Sequence, residues 1–109
     1  MFDNLTVTKL GYYVYALVNP LTDKVFYIGK GIENRVFSHK LEVLENKSGL
    51  ESLKKIEIKE ILDHNLDIRH VIIRHGLTEK EAFLVEATLI DYHNFTHKKL
   101  TNEISGHNS

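Results

Sequence analysis

Two short runs rich in β-branched and aromatic residues, Tyr12–Val18 and Val25–Ile28, are separated by little more than the turn Asn19-Pro20-Leu21-Thr22-Asp23. Such a stretch has few options other than a β-hairpin, because these side chains pack well on a pleated surface and crowd a helical backbone. Proline fixes φ at the bend, and the Asn and Asp side chains can hydrogen-bond their own backbone there. Strand alternation puts Tyr13 and Tyr15 on one face and Tyr12 on the other. Gly29 and Gly31 are expected to end the second strand and let the chain turn sharply into a helix.

That helix is predicted over Glu33–Leu44, with Val36, Phe37, Leu41 and Leu44 facing the sheet. Asn46-Lys47-Ser48-Gly49 breaks the pattern. A second helix follows over Leu50–Asp63, with Leu50, Leu53, Ile56, Ile61 and Leu62 as its buried positions. Ile68–Arg74 is β-branched enough for a third strand. Thr78, with Glu81 three residues on, makes a capping box for a third helix that ends at Tyr92 or His93. Leu100 and Ile104 are the candidate anchors of a short polar tail. The first 11 residues lack a period and read as an N-terminal extension, so residues 12–109 form one domain. The order ββααβα predicts an α+β fold, a small three-stranded, mainly antiparallel sheet flanked by helices.

Composition narrows the function classes. A chain of 109 residues without cysteine has no disulfide framework, thiolate metal site or cysteine nucleophile. No apolar run approaches the roughly 18 residues that span a bilayer, and no signal-peptide pattern opens the chain. A soluble, cytoplasmic protein is the expectation. With 14 basic against 15 acidic residues the net charge is −1, which lacks the strongly basic footprint of a dedicated nucleic-acid binder. Any such partner has to be met weakly, through a local patch or with help.

Glu86 is the residue that elementary physics questions first. Its neighbours on the predicted third helix are Ala82, Phe83, Leu89 and Ile90, and a carboxylate in an apolar stripe is penalised unless a cation or donor meets it. Magnesium suits such a place, since it takes one or two carboxylates and keeps several waters. Pairing with an arginine at the edge of the stripe is the commoner arrangement. Arg35 and His39 share a helix face, where a planar fork of donors and a group that titrates near neutrality can handle phosphate and proton. A solvated polar face is the ordinary alternative. Tyr15 and Tyr27, taken singly, are ordinary strand aromatics. Lys30 between two glycines lacks the spacing of a P-loop. The pairs His70/His75 and His93/His97 lack an obvious third ligand for zinc.

Taken together these residues resemble the GIY-YIG nuclease superfamily. Tyr13-Val14-Tyr15 stands where that family has Gly-Ile-Tyr, and Tyr27-Ile28-Gly29 matches Tyr-Ile-Gly. Arg35 and His39 match the family's arginine and its frequent histidine partner. Glu86, within Glu81-Ala82-Phe83-Leu84-Val85-Glu86-Ala87, matches its metal-binding glutamate, and Asn102 a C-terminal asparagine near the site. The match covers about residues 12–107. The stretches Tyr13–Leu17, Phe26–Gly31 and Asn34–His39 look most like the branch of an animal ankyrin-repeat, LEM-domain nuclease and compact bacterial relatives. The sequence departs from the pattern in having Tyr13 at the first motif's glycine, a slightly longer hairpin and a slightly shorter span from Tyr27 to Arg35.

The resemblance implies a DNA endonuclease with one Mg²⁺ or Mn²⁺ on Glu86. Tyr15 is then the general base, helped by Lys30 or His39, because a phenol with pKa near 10 is a poor base unaided. Tyr27 orients water or phosphate, Arg35 stabilises the developing charge, and Asn102 orients tyrosine or glutamate. DNA is expected on a basic surface of Lys30, Lys40, Lys54, Lys55 and Lys59. Monomer and homodimer both stay open. Two other readings compete: a DNA-binding module of the same fold that does not cut, and a metal-storing or sensing protein built on the histidines.

Overall fold

The computed structural model describes residues 2–45 and 53–96. Its elements are α1 (Asn4–Leu10), β1 (Tyr12–Asn19), β2 (Lys24–Ile32), a 3₁₀ turn (Arg35–Phe37), α2 (Ser38–Glu45), α3 (Leu53–Asp63), β3 (Arg69–Leu77) and α4 (Glu79–Thr96). The three strands form one antiparallel sheet in the order β2-β1-β3, an α+β arrangement. β1 is central and almost wholly buried.

The hairpin turn works as its residues predict. The Asn19 carboxamide oxygen accepts from the Leu21 N–H at 2.8 Å, and its amide donates to Glu57 on α3 at 2.9 Å. Asp23 takes a positive φ of 58°, a conformation that Asp tolerates better than most residues.

Side chains alternate across β1 and split the core in two. Tyr13, Tyr15 and Leu17 face Val36 and the α3 residues Ile58 and Ile61. Val14 and Ala16 face the other way, with Ile28 of β2 and Ala82 and Ile90 of α4. Helices thus cover both faces of the sheet, α3 on one and α4 on the other.

Four expectations need correction. The glycines do not end β2, which runs on to Ile32, because Gly29 and Gly31 pair with Tyr15 and Tyr13 and leave room for their rings. The following helix starts late, at Ser38, after the 3₁₀ turn. It buries His39 and packs Val43 on the core, which leaves Leu41 and Leu44 exposed. On α3 the inward stripe is Ile58, Ile61 and Leu62, while Leu53 and Ile56 are exposed. Ile56 lies two residues, roughly 200° of helix, from Ile58 and so points away. The N-terminal extension itself holds α1, whose cap is Asp3 accepting from the Thr6 N–H at 2.8 Å. Leu50, Leu100 and Ile104 lie outside the described residues.

Candidate active site

Tyr15 and Tyr27 come together through a strand irregularity. The β1–β2 register shifts between Leu17 and Val18, where Phe26 has no opposite number. Tyr27 therefore pairs with Leu17 and shares its face with Tyr15. Tyr15 in turn lies opposite Gly29, and a Cβ there would come within 2.7 Å of the Tyr15 hydroxyl oxygen. The absence of a side chain lets the phenol lie across β2 toward Tyr27, with ring centroids 6.3 Å apart.

His39 closes the group. Its Nε2 is 2.5 Å from the Tyr15 hydroxyl, and its ring centroid is 5.0 Å from that of Tyr27. The imidazole is 6% exposed. Burial, then the nearby charge of Lys54 and the His70 ring, pull its pKa down to about 3, so it is neutral at physiological pH. Burial pushes the Tyr15 phenol well above its usual range, assisted by Tyr27, Tyr13 and the carboxylates of Glu86 and Glu42. The resting pair is thus phenol and neutral imidazole. With the ring proton on Nδ1, Nε2 accepts from the phenol and can take its proton. Nδ1 is buried and has no hydrogen-bond partner among the described residues.

The other charged residues stand in different relations to this pair. Lys54 of α3 holds its Nζ over the Tyr27 ring, 4.9 Å from the centroid. Arg35 is exposed on the 3₁₀ turn, where its charge acts on the Tyr12 and Tyr13 phenols. Burying His39 while exposing Arg35 means that the two do not share a helix face. Glu86 is 5% exposed on α4 between the buried Ala82 and Ile90, and its charge reaches Tyr15. Lys30 pairs with Val14, so it projects to the face opposite Tyr15 and is no partner for that phenol. Lys40 is bonded to Asp67 at 2.9 Å and Lys59 to Asp63 at 3.2 Å. Lys55 is half-buried on α3, and Asn102 lies outside the described residues.

The order of these groups along the chain has a counterpart among known proteins. Residues 6–109 match the family described as LEM-3-like GIY-YIG domain. The chain belongs to that family. The GIY-YIG domain is also similar to the ankyrin repeat and LEM domain-containing protein 1 homolog of Caenorhabditis elegans. The two are 35% identical over 72 residues, which are 62% of this chain and 10% of the relative. The chain thus spans about a tenth of the length of the curated relative it matches. No solved structure matches it. Membership supports a nuclease-type function. Among the described residues, no helix is long and apolar enough to cross a membrane.

GIY-YIG nucleases are generally metal-dependent, and the donor set here can be tested against such an ion. Among the described residues no three His, Asp or Glu side chains cluster, which argues against an all-protein cage. A single buried carboxylate still fits a magnesium-type ion that draws its remaining oxygens from water and phosphate. Two features at the site escaped the sequence reading: the space supplied by Gly29 and Gly31, and the fully buried phenol of Tyr13. The signal for both was the tyrosine-to-glycine match across the hairpin, legible only once the register is known.

Proposed function

We propose that this GIY-YIG domain is a metal-dependent DNA endonuclease that hydrolyses phosphodiester bonds. The observation that carries the reading is the 2.5 Å contact between the Tyr15 hydroxyl and His39 Nε2, with Tyr27 and Lys54 alongside. A buried, neutral imidazole held against a phenol is a route for a proton to leave that phenol. Tyr15 takes the proton of the attacking water as its own passes to His39 Nε2, which spares the site a free phenolate in its resting state. Tyr27 orients the water or the phosphate. Arg35, exposed on the 3₁₀ turn, stabilises charge on the phosphate oxygens. Glu86 would hold Mg²⁺ or Mn²⁺, whose chemistry is to polarise a phosphate oxygen and stabilise the leaving group.

The test is a cleavage panel of supercoiled, linear, flapped and four-way-junction DNA with Mg²⁺, Mn²⁺ or EDTA. Nicking is expected with either metal and none in EDTA, and the panel identifies the preferred DNA form. Each subunit carries one such centre, so a double-strand break requires a dimer or two visits. Glu86→Ala should abolish metal-dependent nicking, and if it cuts as fast as the parent the metal assignment is wrong. Binding to DNA without cleavage of any form would favour a silent DNA-binding module instead.

A further inference from the structure

We propose that Tyr13 is a positioning residue for Arg35: its phenol, with the Phe2 backbone as a second strut, locks the turn that presents the guanidinium. This inference rests on the nuclease reading for its functional consequence, but not for its structural one.

The turn between β2 and the 3₁₀ helix needs holding. Glu33 adopts φ +57°, the left-handed region that a residue with a Cβ avoids. Such a conformation persists only where its surroundings over-determine it. The surroundings here are specific. The Tyr13 hydroxyl donates to the Glu33 carbonyl at 2.7 Å and accepts from the Val36 N–H at 3.1 Å. The Asn34 side-chain oxygen accepts from the Phe2 N–H at 2.9 Å. The residues on both sides of Arg35 are therefore tied down while its own side chain is exposed.

The rings complete the brace. The Phe2 ring meets Tyr13 edge-on, with centroids 6.1 Å apart, and tilts against Phe37 at 5.1 Å. Gly31, opposite Tyr13 across the hairpin, makes the space, since a Cβ there would stand 3.1 Å from the Tyr13 ring. Filling the core required only a phenylalanine. The hydroxyl instead uses one donor and one acceptor on the backbone groups that bracket Arg35. The glycine that the family's first motif has at this position could make neither bond. Tyr13 supplies a local lock that the motif itself does not encode.

Tyr13→Phe keeps the ring and removes both bonds. For nicking, kcat should fall roughly 10–100-fold with KM nearly unchanged, as expected for lost alignment rather than lost binding. The double variant Tyr13→Phe/Arg35→Ala should be no slower than Arg35→Ala alone, because the phenol acts through the guanidinium. Fully additive losses, or an unchanged rate, overturn the proposal. Amide hydrogen exchange gives a readout independent of cleavage. In Tyr13→Phe the Arg35 and Val36 amides should exchange faster while the β1 amides keep their protection. Unchanged exchange in the turn overturns the lock even if the parent never cuts DNA, an outcome that would separately sink the nuclease reading. Should Tyr13→Phe fail to fold, Asn34→Ala removes the Phe2 strut at a half-buried position, and the same exchange readings decide.

Discussion

At the residue scale the site turns on hydrogen atoms in small spaces. Gly29 is a site residue because it has no side chain. Gly29→Ala would set a methyl against Tyr15 and Tyr27, with the nearest atoms at 2.7–2.9 Å. Nicking should fall on the order of 100-fold from displacement of the phenol, with a stability loss of about 1–3 kcal/mol from overpacking. Steady-state nicking and thermal unfolding on one preparation check both. His39 makes a second prediction, about pH. Its pKa is about 3 in the folded protein against 6.5 for the free side chain, a lowered value. The unfolded chain therefore takes up the proton first as pH falls. Stability from keeping this imidazole neutral is complete above about 6.5 and is lost progressively toward 3. His70, also lowered by burial, acts in the same direction. Unfolding free energy measured between pH 7.5 and 5 should decline, and His39→Asn should flatten the decline. Equal slopes in parent and variant would show that His39 is not held neutral.

At the element scale, α4 carries Glu86 into the core and begins with a capping box in which both bonds are made. The Glu81 N–H donates to Thr78 Oγ1 at 3.1 Å, and the Thr78 N–H to Glu81 Oε1 at 2.9 Å. Thr78→Ala should cost about 1 kcal/mol, read as a lower denaturation midpoint with an unchanged slope. The cap was legible in the sequence because it depends only on two residues three apart. So were the hairpin, the third strand and, around Glu86, the buried Ala82 and Ile90, although Phe83 of the same stripe is exposed. The helix after β2 was not. Its start is set by the Tyr13 phenol and the Glu33 turn, twenty residues apart in sequence, and propensity carries no information about that contact. The inward face of α3 escaped for a similar reason. Leu53, Ile56, Ile58 and Ile61 allow more than one stripe, and packing against β1 selects Ile58 and Ile61.

At the scale of the whole molecule, charge bears on the proposed encounter with DNA. Among the described residues, Lys40, Lys59 and Arg69 are each paired with an aspartate, Asp67, Asp63 and Asp23 in turn, which offsets their charge locally. Lys54 stands beside Tyr27, at the site itself. Binding should be weak and should fall with salt in proportion to the phosphates neutralised, and Lys54→Ala should reduce the slope of log K against log salt by about 1. A titration of DNA affinity across salt concentrations checks both. The sequence by itself determined which groups are available: two tyrosines, an arginine, a histidine and a carboxylate, on a hairpin and helices whose periods are local. Tertiary structure alone decided which of them meet. Counting back from the turn without a bulge pairs Tyr27 with Ala16 and turns it away from Tyr15. The irregularity at Phe26 moves it onto Leu17 and onto the same face. A side-chain period of two makes every single-residue shift a change of face. That shift, and the glycines it places opposite Tyr13 and Tyr15, bring the phenols together at the site.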